Sequence, residues 1–125
     1  MKAKFYLCPH CHNLIYMVND SKVKPVCCGS TMIELEPNTV DAALEKHVPV
    51  YKLENRRLEV QVGSTIHPML DNHHILFICL TTNKGVYFVN TKDKEEPVAT
   101  FILDEDESVD TIYEYCNLHG LWSTK

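Results

Sequence analysis

Four cysteines in two pairs, Cys8-Pro-His-Cys11 and, after fifteen residues, Cys27-Cys28-Gly29, constrain this chain of 125 residues more than anything else in it. The stretch up to Glu36 that carries them has too few large apolar residues to bury a core, and pieces of about 40 residues or fewer usually need a metal or disulfides to fold. Met1-Lys-Ala-Lys-Phe-Tyr-Leu-Cys8 has no apolar run of signal-peptide length, and the longest later run, Ile75 to Leu80, is too short to span a bilayer. The chain is therefore expected to be cytoplasmic, where thiols stay reduced and metal chemistry is the better use of six cysteines and seven histidines. Four thiolates in two pairs suit a tetrahedral site for iron or zinc. Gly29 relieves the sharp turn that adjacent cysteines need. A metal-free redox Cys-x-x-Cys is the competing explanation, but no βαβ pattern surrounds this one. His10 and His12 read as bystanders, because four sulfurs fill a tetrahedron.

Beyond this segment the pattern is that of an all-β protein. Short β-like runs at Lys4–Leu7, Leu14–Val18 and Thr31–Leu35 accompany the cysteines, so residues 1–36 form one small metal-stapled domain. Pro37-Asn38 is a turn, and Asn38 is expected to cap a short helix through Thr39–Leu44, with Asp41 in its first turn, leading into Glu45-Lys46-His47. In residues 37–125, Leu58, Val60 and Val62 alternate with Glu59 and Gln61, Ile75–Thr81 is almost wholly apolar, and Asn83-Lys84-Gly85 turns into Val86–Val89. Val98–Leu103 and Val109–Tyr115 add two more segments around Asp104-Glu105-Asp106-Glu107, which reads as a solvated turn. About seven short strands at this spacing predict an immunoglobulin-like β-sandwich. An apolar share of 45% with 23% charged residues excludes a disordered or collagen-like chain. The net charge of −5 leaves no basic footprint for nucleic acid or an anionic membrane.

A second group of metal-binding residue types is scattered through the sandwich: His47, His67-Pro68-Met69, His73-His74 and Cys116-Asn-Leu-His119. His74 opens an apolar strand and fits a packed or surface histidine. Several imidazoles with one thiolate select borderline first-row metals, and more than four ligands favour iron over structural zinc. A blue-copper site also combines an upstream His with a late Cys-x-x-His, but it needs a weak axial ligand such as Met, and only Gly-Leu-Trp-Ser-Thr-Lys follows His119.

Three longer runs, Asn38-Thr-Val-Asp-Ala-Ala-Leu-Glu-Lys-His-Val-Pro-Val50, Val62-Gly-Ser-Thr-Ile-His-Pro-Met69 and Tyr113-Glu-Tyr-Cys-Asn-Leu-His-Gly-Leu-Trp122, closely resemble the desulfoferrodoxin family of superoxide reductases. The N-terminal cysteine pattern is similar to that family's desulforedoxin module. The resemblance implies two irons. Cys8, Cys11, Cys27 and Cys28 would hold the first (centre I), which could also be zinc. His47, His67, His73 and His119 with axial Cys116 would hold the catalytic iron (centre II), leaving a sixth position flanked by Glu45 and Lys46. It implies a one-electron reduction of superoxide to hydrogen peroxide without release of dioxygen, a rubredoxin-like electron donor and a homodimer. A non-catalytic two-iron electron carrier is the alternative. The chain departs from the family pattern at His12, where the module commonly has glycine, and at Asn72-His73-His74, which replaces a more usual Glu-His-Tyr. Cys79, in an apolar strand, is expected to be a buried, inert thiol.

Overall fold

In the computed structural model, which describes residues 2–124, the first unit, Met1–Glu36, folds around its cysteines. Strand β1 (Phe5–Leu7) is central in a small antiparallel sheet between β2 (Leu14–Tyr16) and β5 (Ile33–Glu34), while β3 (Val26–Cys27) and β4 (Ser30–Thr31) form a separate hairpin. One buried cluster groups Tyr6, Cys8 and Met32, with Met17 and Cys27 packed against it, and Ala3 and Phe5 are buried as well. Such a core is small, as the sequence led us to expect, and one of its members is itself a thiol. The hairpin β3–β4 has two residues in each strand, too few for alternation to show in the sequence.

The second unit, Pro37–Lys125, is a sandwich of seven strands in two antiparallel sheets. After helix α1 (Leu44–His47) come β6 (Pro49–Glu54), β7 (Arg57–Val62), β8 (Ile75–Thr82), β9 (Val86–Asn90), β10 (Val98–Ile102), β11 (Val109–Cys116) and β12 (Gly120–Ser123). One sheet runs β10-β7-β6 and the other β12-β11-β8-β9. Leu58, Val60, Val62 and Ala99 from the first meet Ile75, Ile78, Leu80, Ile112 and Cys116 from the second in one buried core. Burying an aliphatic side chain of this kind contributes about 1.5–3 kcal/mol, so these positions carry the fold.

Two local expectations are corrected. The helix is not at Thr39–Leu44 but at Leu44–His47, and Asn38 does not cap it. Asn38 instead lies at φ +62° and pairs with the β12 backbone: its side-chain NH2 donates to the Ser123 carbonyl at 3.2 Å, and the Ser123 N–H donates to Asn38 Oδ1 at 2.9 Å. A side-chain amide has the donor–acceptor pattern of a peptide, and β12 is an edge strand that this amide extends. The acidic loop is not simply solvated either. Glu107 is buried, and its carboxylate accepts from Thr82 Oγ1 at 2.6 Å, Tyr87 OH at 2.7 Å and the Asp104 N–H at 3.0 Å. The Arg56 guanidinium donates to the Glu107 and Asp104 carbonyls, so the loop ties the β6–β7 turn to the β8–β9 sheet.

Candidate metal centres

Centre I is built by two tight turns. The N–H groups of His10 and Cys11 both point at Cys8 Sγ from 3.4 Å, the usual way a Cys-x-x-Cys knuckle stabilises a thiolate, and they draw the Cys8 thiol down to about 6. His12 donates its N–H to the Cys8 carbonyl at 3.0 Å and sits at φ +65°, the left-handed conformation that suits glycine. On the other side Cys28 (φ +53°) and Gly29 (φ +73°) share the left-handed turn that adjacent cysteines require, so glycine relieves only part of it. Cys11 Sγ lies 3.6 Å from Cys27 Sγ, and Cys27 Sγ lies 3.9 Å from Cys28 Sγ. A tetrahedron with metal–sulfur arms of about 2.3 Å has edges of about 3.8 Å, so the four sulfurs fit one ion. They are far beyond bonding distance of each other. His10 turns away to Ser30 Oγ at 3.1 Å, as a bystander would.

Centre II collects His47, His67, His73, Cys116 and His119, whose donor atoms all lie within 4.8 Å of one another. Each is delivered by a different local device. His47 ends α1, where its Nδ1 donates to the Ala43 carbonyl at 2.7 Å. His67 ends a loop closed by its own N–H to the Val62 carbonyl at 2.8 Å, and its Nδ1 donates to the Pro68 carbonyl at 2.7 Å. A protonated Nδ1 leaves the lone pair on Nε2, so both rings are fixed in the tautomer that presents Nε2 to an ion. His73 is held by a two-residue bridge with Leu70. Its Nε2 is buried with no hydrogen-bond partner among the described residues, which is how an imidazole that needs an ion looks. Cys116 and His119 flank the tight β11–β12 turn, which closes through Gly120 at φ +82°.

The four imidazoles form a closed circuit of near-perpendicular neighbours. Ring centroids are 4.9 Å apart for His47–His67, 4.5 Å for His67–His73, 5.2 Å for His73–His119 and 4.8 Å for His119–His47. His47 Nε2 is 3.0 Å from His119 Nδ1, so His119 faces the centre through Nδ1, unlike His47 and His67, which present Nε2. Cys116 Sγ lies 3.5 Å from His67 Nε2 and 3.9 Å from His119 Nδ1. Four nitrogens and one sulfur are five donors, one short of octahedral. Cys116 is wholly buried beside the circuit, so an ion held by all five donors would have one position left for a further ligand. Desolvation pushes His47 and His73 below the ordinary imidazole value and His67 down to about 4, which keeps all three neutral and able to ligate. Burial pushes the Cys116 thiol up, so a cation is needed to draw off its proton. This donor set fits iron.

Lys46 and Glu45 are both exposed on α1. Beside the dominant desolvation, the positive charge of Lys46 adds to the lowering of the His47 and His73 imidazoles, and Glu45 opposes it at His47. His74 stays outside the cluster with Nδ1 donating to the Leu70 carbonyl at 2.9 Å. Cys79 is buried, and desolvation alone pushes its thiol up to about 12.

Three residues of consequence were not singled out in the sequence. Trp122 is buried, stacks on His47 with centroids 4.9 Å apart, and donates Nε1–H to the His119 carbonyl at 3.1 Å. Glu114 is wholly buried two residues before Cys116, and neither of its oxygens has a hydrogen-bond partner among the described residues; burial raises its carboxyl well above the usual range. Gly63 lies against the backbone of α1.

The Desulfoferrodoxin family model matches residues 39–125. A desulfoferrodoxin of Syntrophotalea carbinolica is 41% identical over 124 residues, covering 99% of this chain and 97% of its own. A superoxide reductase of Pyrococcus horikoshii is 35% identical over 99 residues, 65% of this chain and 85% of its own. The crystal structure of the superoxide reductase from Treponema pallidum superposes over 100% of both chains with a TM-score of 0.83 at 35% identity. With a family match over most of its length and relatives that span it almost entirely, the chain belongs to the desulfoferrodoxin family.

Proposed function

We propose that the protein is a superoxide reductase that turns one superoxide, one electron and two protons into one hydrogen peroxide. The observation that carries this is the closed circuit of four imidazoles beside a buried thiol, five donors that would leave one position for a small anion. On this reading His47, His67, His73, Cys116 and His119 hold iron, which supplies the single electron when ferrous. The chain's own residues do the rest. Lys46 draws the anion towards the circuit and holds water that can give it a proton, while Glu45 provides the carboxylate on the same turn. Trp122 braces His47 from behind.

Residues 1–36 then serve as a desulforedoxin-like domain in which Cys8, Cys11, Cys27 and Cys28 hold iron or zinc, and residues 37–125 as the catalytic domain. A rubredoxin-like protein as donor, a homodimer and a cytoplasmic place are the family's expectations, and no helix among the described residues is long and apolar enough to cross a membrane. The test is anaerobic mixing of the reduced protein with superoxide, with peroxide and dioxygen measured together. Peroxide without dioxygen is expected. Equal amounts of both would mean a dismutase, and neither would leave a two-centre electron carrier.

A further inference from the structure

We propose that Gly63, with Ser64 and Thr65, positions Lys46 and His47 by gripping the Glu45–Lys46 peptide. The inference rests on centre II being the reaction site. Its origin is a gap in the backbone hydrogen bonding of α1. In a continuing helix the Glu45 carbonyl would accept from the N–H four residues on, but that residue is Pro49, which has none. The orphaned carbonyl is taken by the loop after β7: Thr65 donates its N–H at 2.8 Å and Ser64 its Oγ–H at 3.2 Å.

Both bonds need the loop to lie directly on the helix, which only glycine permits at position 63. A Cβ there would stand 2.6 Å from the Glu45 carbonyl oxygen, 2.8 Å from the Lys46 carbonyl carbon and 3.0 Å from the His47 nitrogen. All three are backbone atoms, so no side chain can swing aside and α1 itself would have to move. The same loop ends in His67, whose N–H closes on Val62, and Gln61 Nε2 holds the Gly63 carbonyl at 2.8 Å. Gly63 is thus the point where the segments bearing two of the five clustered residues touch, and the peptide it touches aims Lys46.

Gly63→Ala, made alone and with Lys46→Ile in the metal-loaded protein, tests this. The first readout is amide exchange of Thr65 by NMR on zinc-loaded protein, since zinc keeps the site diamagnetic. Gly63→Ala is expected to speed Thr65 exchange at least tenfold while the Leu80 amide stays protected. The second is the rate of the iron protein with superoxide, expected to fall by about tenfold with a flattened salt dependence, because steering by a misplaced cation is lost. If Gly63 acts through Lys46, adding Gly63→Ala to Lys46→Ile changes the rate by less than about twofold, as expected for two steps of one effect. A folded Gly63→Ala protein with Thr65 protected and rate and salt dependence unchanged overturns the proposal, as does full additivity with Lys46→Ile. Should Gly63→Ala not fold, Ser64→Ala takes its place: faster Thr65 exchange and a weaker salt dependence are expected, and no change in either overturns it. Wild-type protein that makes no peroxide would instead refute the reductase reading, and the Thr65 exchange result would still stand.

Discussion

Lys46 is an exposed lysine directly before His47 on a chain of net charge −5, so the protein's overall field repels a small anion and only a local cation can reverse this at centre II. Local focusing of this kind changes association rates by about 10- to 1000-fold and fades with ionic strength, since the screening length is about 8 Å at physiological salt. Lys46→Ile should therefore slow the second-order reaction with superoxide by about tenfold or more and flatten its salt dependence. Because Lys46 lies outside the five-residue cluster, metal content and the absorption change on oxidation should persist. An unchanged rate at low salt would reduce Lys46 to an ordinary surface charge. The residues that cluster could be picked out in the sequence because Cys and His in loops have few other uses at such density, and their order matched long family motifs. Gly63, Trp122 and Glu114 could not be. What matters for Gly63 is the atom it lacks, for Trp122 the ring it backs, and for Glu114 a buried environment that an alternating strand pattern would have assigned to an apolar residue.

At the scale of elements, the loop between β10 and β11 shows how a charge run can mislead. Asp104 and Asp106 pair with Lys84 at the surface, as a solvated turn should. Glu107 turns inward, and hydrogen bonds, first from Thr82 and then from Tyr87 and the Asp104 N–H, hold its carboxyl down to about 2. A carboxyl lowered by folding stabilises the native state above its unfolded value and loses that contribution as pH falls through the folded one. Glu107→Gln should thus lower the denaturation midpoint at neutral pH, and the gap to wild type should close between the ordinary 4.5 and about 2. The comparison belongs on reduced, metal-free protein, where acid loss of metal plays no part; a gap independent of pH would refute the clamp. Strand β7 was legible from its apolar alternation and β8 from its almost wholly apolar run; β6, exposed at every residue beyond Pro49, was not legible. Strand β12 and helix α1 were not, because β12 is four residues long and overlaps the motif that follows Cys116, and the helix has a single turn without a side-chain cap. Its expected cap, Asn38, was read for its usual local preference, when its amide is used across the chain by Ser123.

In the whole molecule the two clusters draw on separate sets of residues in separate units. Cys28→Ser should accordingly abolish or weaken metal binding at centre I while prereduced protein still converts superoxide within about twofold of wild type, as sites without shared partners behave independently. Loss of that reaction with centre II still loaded would show that centre I takes part in it. The sandwich itself has two differently fastened ends. In the β8–β11 register, Cys116 stands opposite Ile75 at one end and Val109 opposite Thr82 at the other. The Thr82 end is closed by Glu107 and Arg56, which belong to the covalent chain and are always present. The Ile75 end would be closed by the ion that the imidazoles and Cys116 are placed to share. Taking that ion away leaves a clamshell with an intact hinge: the sheets should gape at the metal end alone. Thermolysin should then nick the chelated protein first around Ile66, Met69 and Leu70 and spare residues 83–107. The ion that does the chemistry would then also act as the catch that keeps the lobes shut.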